Sequence, residues 1–211
     1  MKRLATIVFI LLGAGLFAAS ATAADLLVQV RNTTGAPVAD AVVTVYPASG
    51  VSGPIHFDWP MTMSQQNIAF HPFVLIVPVG ATVSFPNFDP VRHHVYSFSP
   101  THQFELKLYG KDQTRSVGFD KAGVVALGCN IHDKMAAFIK VVDTPYAAKT
   151  DASGQLVIHD LPSGPATLHL WRPYMKAPGN EITKPIAVPG AGQVAETFAV
   201  DVHPPAAMQG M

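Results

Sequence analysis

Gly128-Cys129-Asn130-Ile131-His132-Asp133-Lys134-Met135 contains the only cysteine of a 211-residue chain, followed at short fixed spacings by an imidazole and a thioether. A C-x2-H-x2-M spacing keeps three side chains within one tight loop, where they can converge on a point that a straight strand could not surround. Thiolate and thioether are soft ligands that favour copper, and a trigonal His2Cys set with a weak axial Met is the arrangement used for one-electron transfer. Zinc would want another strong ligand instead. Cys129, His132 and Met135 therefore read as three ligands of one copper ion, and the set requires a second histidine from elsewhere.

That histidine is offered upstream by Ser84-Phe85-Pro86-Asn87-Phe88-Asp89-Pro90-Val91-Arg92-His93-His94-Val95-Tyr96, where a strand-like run resumes at a histidine pair. Alternation alone does not choose between the two, because adjacent residues of a strand point to opposite faces. Val95 and Ser97 share a face with His93, and Tyr96 and Phe98 share one with His94. Asn87 is suited to satisfy loop backbone groups through an Asx-turn, and Asp89 to brace the loop that leads to the histidines.

Phe85-x-Asn87-x-Asp89 leading to His93-x-Val95, then Gly123-x-Val125 and C-x2-H-x2-M, resembles the cupredoxins, over roughly residues 66 to 142. The loop length is similar to that of amicyanin. The resemblance implies a Greek-key β-sandwich and one type 1 (blue) copper. It also implies that His93, four residues after Asp89 and two before Val95, is the fourth ligand. In amicyanin and plastocyanin the next position is commonly Asn; His94 departs from that pattern and stands as a supporting group or alternative ligand. Leu127 to Asp133, Val142-Asp143-Thr144-Pro145-Tyr146 and Leu168-His169-Leu170-Trp171-Arg172-Pro173 further resemble secreted bacterial proteins labelled methylamine utilization proteins, a label that describes a neighbourhood and not an activity.

Along the rest of the chain, short runs rich in Val, Ile, Phe, Tyr and Thr are separated by Gly, Pro, Asn, Asp or Ser about every ten residues, which predicts an all-β sandwich. The thirteen expected strands are 26–31, 41–46, 73–77, 82–85, 93–98, 104–108, 116–119, 124–128, 138–142, 156–159, 166–171, 181–188 and 197–202. They are too many for one eight-stranded cupredoxin. The surplus has its own pattern: Val28-x-Val30-x-Asn32, Gly35-x-Pro37-Val38 and Ala41-Val42-Val43 resemble the opening of a carboxypeptidase-regulatory or transthyretin-like β module. Thr150 to Leu156, Leu161-Pro162-Ser163-Gly164 and Leu168-x-Leu170 resemble its close. The expected organisation is a first module part and linker over 24–60, a cupredoxin domain over 61–143 inserted at an exposed loop, and a second module part over 144–203. The Gly- and Pro-containing stretch 48–66 reads as a connecting loop, with Met61 and Met63 as packing residues.

Residues 1–23 combine Lys2 and Arg3, an apolar run from Ile7 to Ala18 and a small-residue site at Ala21-Thr22-Ala23, the pattern of a cleaved secretory signal. A periplasmic chain with no membrane insertion after cleavage is the expectation, and 204–211 is expected to be a disordered tail. Fourteen basic against fourteen acidic residues give no footprint for nucleic acid. In an oxidising compartment a structural cysteine is usually paired, and Cys129 has no partner in the chain. His56, His71, His102, His159 and His169 are scattered without a ligand at metal spacing. No nucleophile–base pair or phosphate-binding Gly loop supports an enzyme.

Three functions compete on these grounds: a carrier of single electrons between redox partners, a copper carrier or chaperone, and a redox-silent binding module. The complete Cys-His-Met set favours the first, with transient docking to a periplasmic cytochrome or dehydrogenase and electron passage at the edge of His132.

Overall fold

The computed structural model describes residues 23–203. The signal and tail expectations therefore lie outside the described residues, apart from Ala23, which opens the first strand. The elements are β1 (Ala23–Asn32), β2 (Val42–Pro47), β3 (Ser64–Gln66), β4 (Ala69–His71), β5 (Val74–Pro78), β6 (Ala81–Pro86), β7 (His93–Ser99), β8 (His102–Tyr109), β9 (Thr114–Phe119), β10 (Gly123–Cys129), β11 (Ala136–Val142), β12 (Ala147–Lys149), β13 (Gln155–Pro162), β14 (Gly164–Trp171), β15 (Glu181–Val188) and β16 (Gln193–Val200), with one 3-10 turn at Pro178–Asn180. The all-β expectation holds. Each of the thirteen expected strands falls on one of these, and β3, β4 and β12 are additional.

Two sandwiches result. In the first, β1 lies between β13 (antiparallel) and β16 (parallel), facing a four-stranded sheet of order β12-β2-β14-β15. Alternation in β1 turns Leu26, Val28 and Val30 inward against Val43, Val45, Leu168 and Leu170, the period-2 burial expected of a half-covered sheet. The second sandwich is built wholly from strands between β2 and β12. Its main sheet has the order β5-β11-β10-β7-β8, with the β6–β9 and β3–β4 pairs completing it.

Strand β11 packs on both faces, one buried and the other partly covered. Ala137, Ile139 and Val141 enter the core of the second sandwich. Phe138 turns the other way onto Trp171, with ring centroids 5.9 Å apart, where Val42, Val74, Ile76 and Val142 form a third apolar cluster. Strand β2 has the same double duty, with Val43 and Val45 in one core and Val42 in the other cluster. This is why its residues are buried without alternation, Thr44 among them. Polar contacts reinforce the junction: Glu181 of β15 accepts from Lys140 of β11 at 3.1 Å and from His169 of β14 at 2.8 Å.

The stretch 48–66, read from sequence as a loop throughout, ends instead in β3, paired in register with β4 (Ser64 with His71, Gln65 with Phe70). Its two-residue turn places Asn67 at φ 56° and Ile68 at φ 55°. Two positive φ values are what a tight I′ hairpin needs, but a β-branched residue there is an outlier.

Candidate metal centre

Strands β7 and β10 are antiparallel neighbours, with Cys129 opposite Val95. His93, Val95 and Ser97 face inward from β7, and Val125, Leu127 and Cys129 from β10. The loop 130–135 is tied to this end of the sheet by Asn130 N–H to the His94 carbonyl (3.2 Å), and Met135 N–H to the His132 carbonyl (2.9 Å) closes a turn within it. His93, Cys129 and His132 thereby converge, with one ligand atom of each within 4.8 Å of the others.

Cys129 Sγ lies 3.8 Å from His93 Nδ1 and 3.6 Å from His132 Nδ1. Metal–nitrogen and metal–sulfur bonds of about 2.0 and 2.3 Å meeting at 120° would hold the donors about 3.7 Å apart, so the observed spacings fit a shared ion. Met135 is buried in the same apolar cluster as Cys129. His93 is fully buried and Cys129 is 4% exposed, whereas His132 is half-buried and reaches the surface.

His94 points the other way. Its Nε2 meets Glu105 Oε1 at 2.8 Å on the outer face of the sheet, away from the sulfur. Asn87 forms the Asx-turn: its Oδ1 accepts the Asp89 N–H at 2.9 Å, and its Nδ2 donates to the carbonyls of Val91 (2.9 Å) and Tyr109 (3.2 Å). Asp89 accepts from His93 Nε2 at 2.8 Å and from the amides of Asn67 (2.6 Å) and Ile68 (2.9 Å). Burial pushes its carboxyl pKa up, but the Ile68 amide, His93 and the Asn67 amide outweigh that and hold it below the usual carboxylate range. The β3–β4 turn carries no sequence signal for this role, because its donors are main-chain groups.

Tyr109, buried beside this core, donates to the Phe85 carbonyl at 3.0 Å, and burial raises its phenol to about 12. Met63 is fully buried in the same cluster and Met61 packs against it. Outside, half-exposed Phe88, Val91 and Ile131 are neighbours in sequence of Asp89, His93 and His132.

No protein-family model matches the chain, and no curated protein does. Among solved structures, the chain is similar to a copper-containing nitrite reductase from Thermus scotoductus SA-01, at 27% identity over 46% of this chain and TM-score 0.38. The match spans only 25% of that enzyme's length. A reduced amicyanin variant matches at 21% identity over 49% of this chain and 99% of its own, TM-score 0.37. A purple cupredoxin from Nitrosopumilus maritimus matches at 22% identity over 38% of this chain and 96% of its own, TM-score 0.35. With overlaps this partial, the chemistry of the centre rests on its own donor set.

Proposed function

We propose that the protein carries single electrons on one copper that His93, Cys129, His132 and Met135 would hold. The observation that carries this reading is the convergence of two imidazole nitrogens on one buried thiol sulfur at 3.6 and 3.8 Å. Copper bound by such a set supplies a one-electron Cu(II)/Cu(I) couple whose potential is tuned by the axial ligand and the surroundings of the sulfur.

The chain's own contribution is rigidity. His93 and Cys129 sit on paired strands, and the loop that carries His132 is tied to β7, so the donors hold their positions in both oxidation states. Burial of His93, Cys129 and Met135 speaks for a retained ion; a carrier that hands copper on would present its ligands. In this reading the protein transforms no substrate.

Half-buried His132 is the exit to solvent, and Phe88, Val91 and Ile131 supply an apolar rim. Such a face suits brief docking to a redox protein, a cytochrome or a dehydrogenase, over under about 1,200 Å² in total. The basic-apolar-small pattern of 1–23 supports a periplasmic setting.

The test is Cu(II) titration of the purified protein followed by visible absorption, with Cys129→Ser alongside. An intense thiolate-to-copper band that is absent from a folded Cys129→Ser supports the assignment. No band in the wild type, or a band retained without the sulfur, refutes it.

A further inference from the structure

We propose that Asp89 is the positioning residue of this centre, a carboxylate clamped by the Asn67–Ile68 turn that fixes the His93 ring with its proton on Nε2 and its Nδ1 lone pair toward Cys129. The inference rests on the copper reading of the site and adds what sets one ligand's tautomer and orientation.

An imidazole can carry its proton on either nitrogen, and only the bare one can ligate. His93 Nδ1 is on the sulfur side, 3.8 Å from Cys129 Sγ, and Nε2 is 2.8 Å from Asp89 Oδ2. An ionised carboxylate only accepts hydrogen bonds, so Nε2 must donate and Nδ1 is left bare. The carboxylate is itself fixed by Asn67 N–H on Oδ1 and Ile68 N–H on Oδ2. Both turn residues sit at positive φ, which aims the consecutive amides at one anion, a nest-like arrangement. The turn, the carboxylate and the ligand ring thus form one chain of bonds, and the side chains at its buried end, Asp89 and His93, are 6% and 0% exposed. Such outer partners of ligating histidines typically contribute 10–100-fold in metal affinity.

The experiment has two arms on the full chain. In the metal-free protein, nitrogen-15 shifts of the neutral His93 ring should show Nε2 protonated and Nδ1 bare. In Asp89→Asn, one oxygen becomes a carboxamide NH2 that must face either the Asn67 amide or both the Ile68 amide and the imidazole N–H. The tautomers should then mix, and Cu(II) affinity, by competition with a chelator, should fall by about 10–100-fold with the charge-transfer band retained but shifted. A loop brace without influence on the ring would lower stability and leave tautomer and affinity unchanged. A wild-type Nδ1–H ring, or a folded Asp89→Asn with wild-type affinity, overturns the proposal. If Asp89→Asn does not fold, the wild-type ring shifts still decide. If the wild type takes up no Cu(II), the copper reading fails and the ring shifts alone judge Asp89.

Discussion

Tyr96 lies across the backbone of Gly128, so close that a Cβ added to that glycine would meet the phenol carbon and oxygen at 2.7 Å. The two residues are partners across β7 and β10, and Gly128 immediately precedes Cys129. The absent side chain is therefore what allows an aromatic ring to cover the strand next to the sulfur. Gly128→Ala should displace the ring and cost about 1 kcal/mol, at the low end of overpacking effects because the ring edge can shift. The Gly128→Ala, Tyr96→Ala double variant should recover most of that loss in urea unfolding; additive losses would show that the contact is not the cause.

The histidine pair separates cleanly by environment. His93→Gln should abolish the thiolate-to-copper band, since it removes a buried nitrogen from the donor set. His94→Gln should leave the band in place and change stability by less than about 1 kcal/mol, because it removes a hydrogen bond to a half-exposed Glu105. Copper titration and denaturant midpoints of the two variants check both statements, and the reverse pattern would exchange their roles.

Met135→Leu should keep the metal and raise the reduction potential, because the axial thioether is a weak donor that favours Cu(II). Leu replaces Met in a core at a cost below about 1.5 kcal/mol, so the fold is retained. Protein-film voltammetry gives the sign, and a lowered potential would contradict an axial role.

Ile68→Gly should stabilise the protein by about 1 kcal/mol, since a β-branched residue at positive φ costs more than the extra unfolded-state freedom of glycine. The Asn67 and Ile68 amides stay in place, so copper affinity should not move. A loss of stability would mean that the exposed side chain has a packing role that outweighs the backbone relief.

Glu181 gives a pH dependence. Burial raises its pKa, but His169 and Lys140 outweigh that and hold it below the usual value. A depressed carboxylate contributes stability above its unfolded value of about 4.3, and that contribution is lost as pH falls through the lower folded value. Glu181→Gln should therefore cost on the order of 1 kcal/mol at pH 7, with the gap to wild type closing in acid. A gap that persists at pH 2.5 in urea titrations would refute the linkage.

What was legible in the sequence followed from pattern strength. In β1, Leu26, Val28 and Val30 alternate with Asp25, Gln29 and Arg31 on the other face, so one buried face announces itself. Strands β3, β4 and β12 have three residues each, several of them polar, and the β3–β4 turn uses Asn-Ile where a hairpin signal would be Asn-Gly. Cys129, His132 and Met135 could be grouped by spacing because one loop carries all three. Choosing His93 over His94 needed the family resemblance, since alternation treats both alike; in the structure the distinction is Cys129 on one side of β7 and Glu105 on the other. The amides that hold Asp89 belong to no side chain and leave no trace in residue types.

Strand β1 hydrogen-bonds to β13 and β16, both of which follow the whole second sandwich in the chain. As the chain folds, its apolar residues Leu26, Val28 and Val30 must find the most distant partners, while β5 to β11 find theirs within a much shorter span of chain. Closing so long a loop carries the larger entropic cost and slows folding. The metal-bearing half can thus be complete while the first strands are still open edges, and a chain that stalls after Val142 leaves β1 and β2 as adhesive ends that favour aggregation.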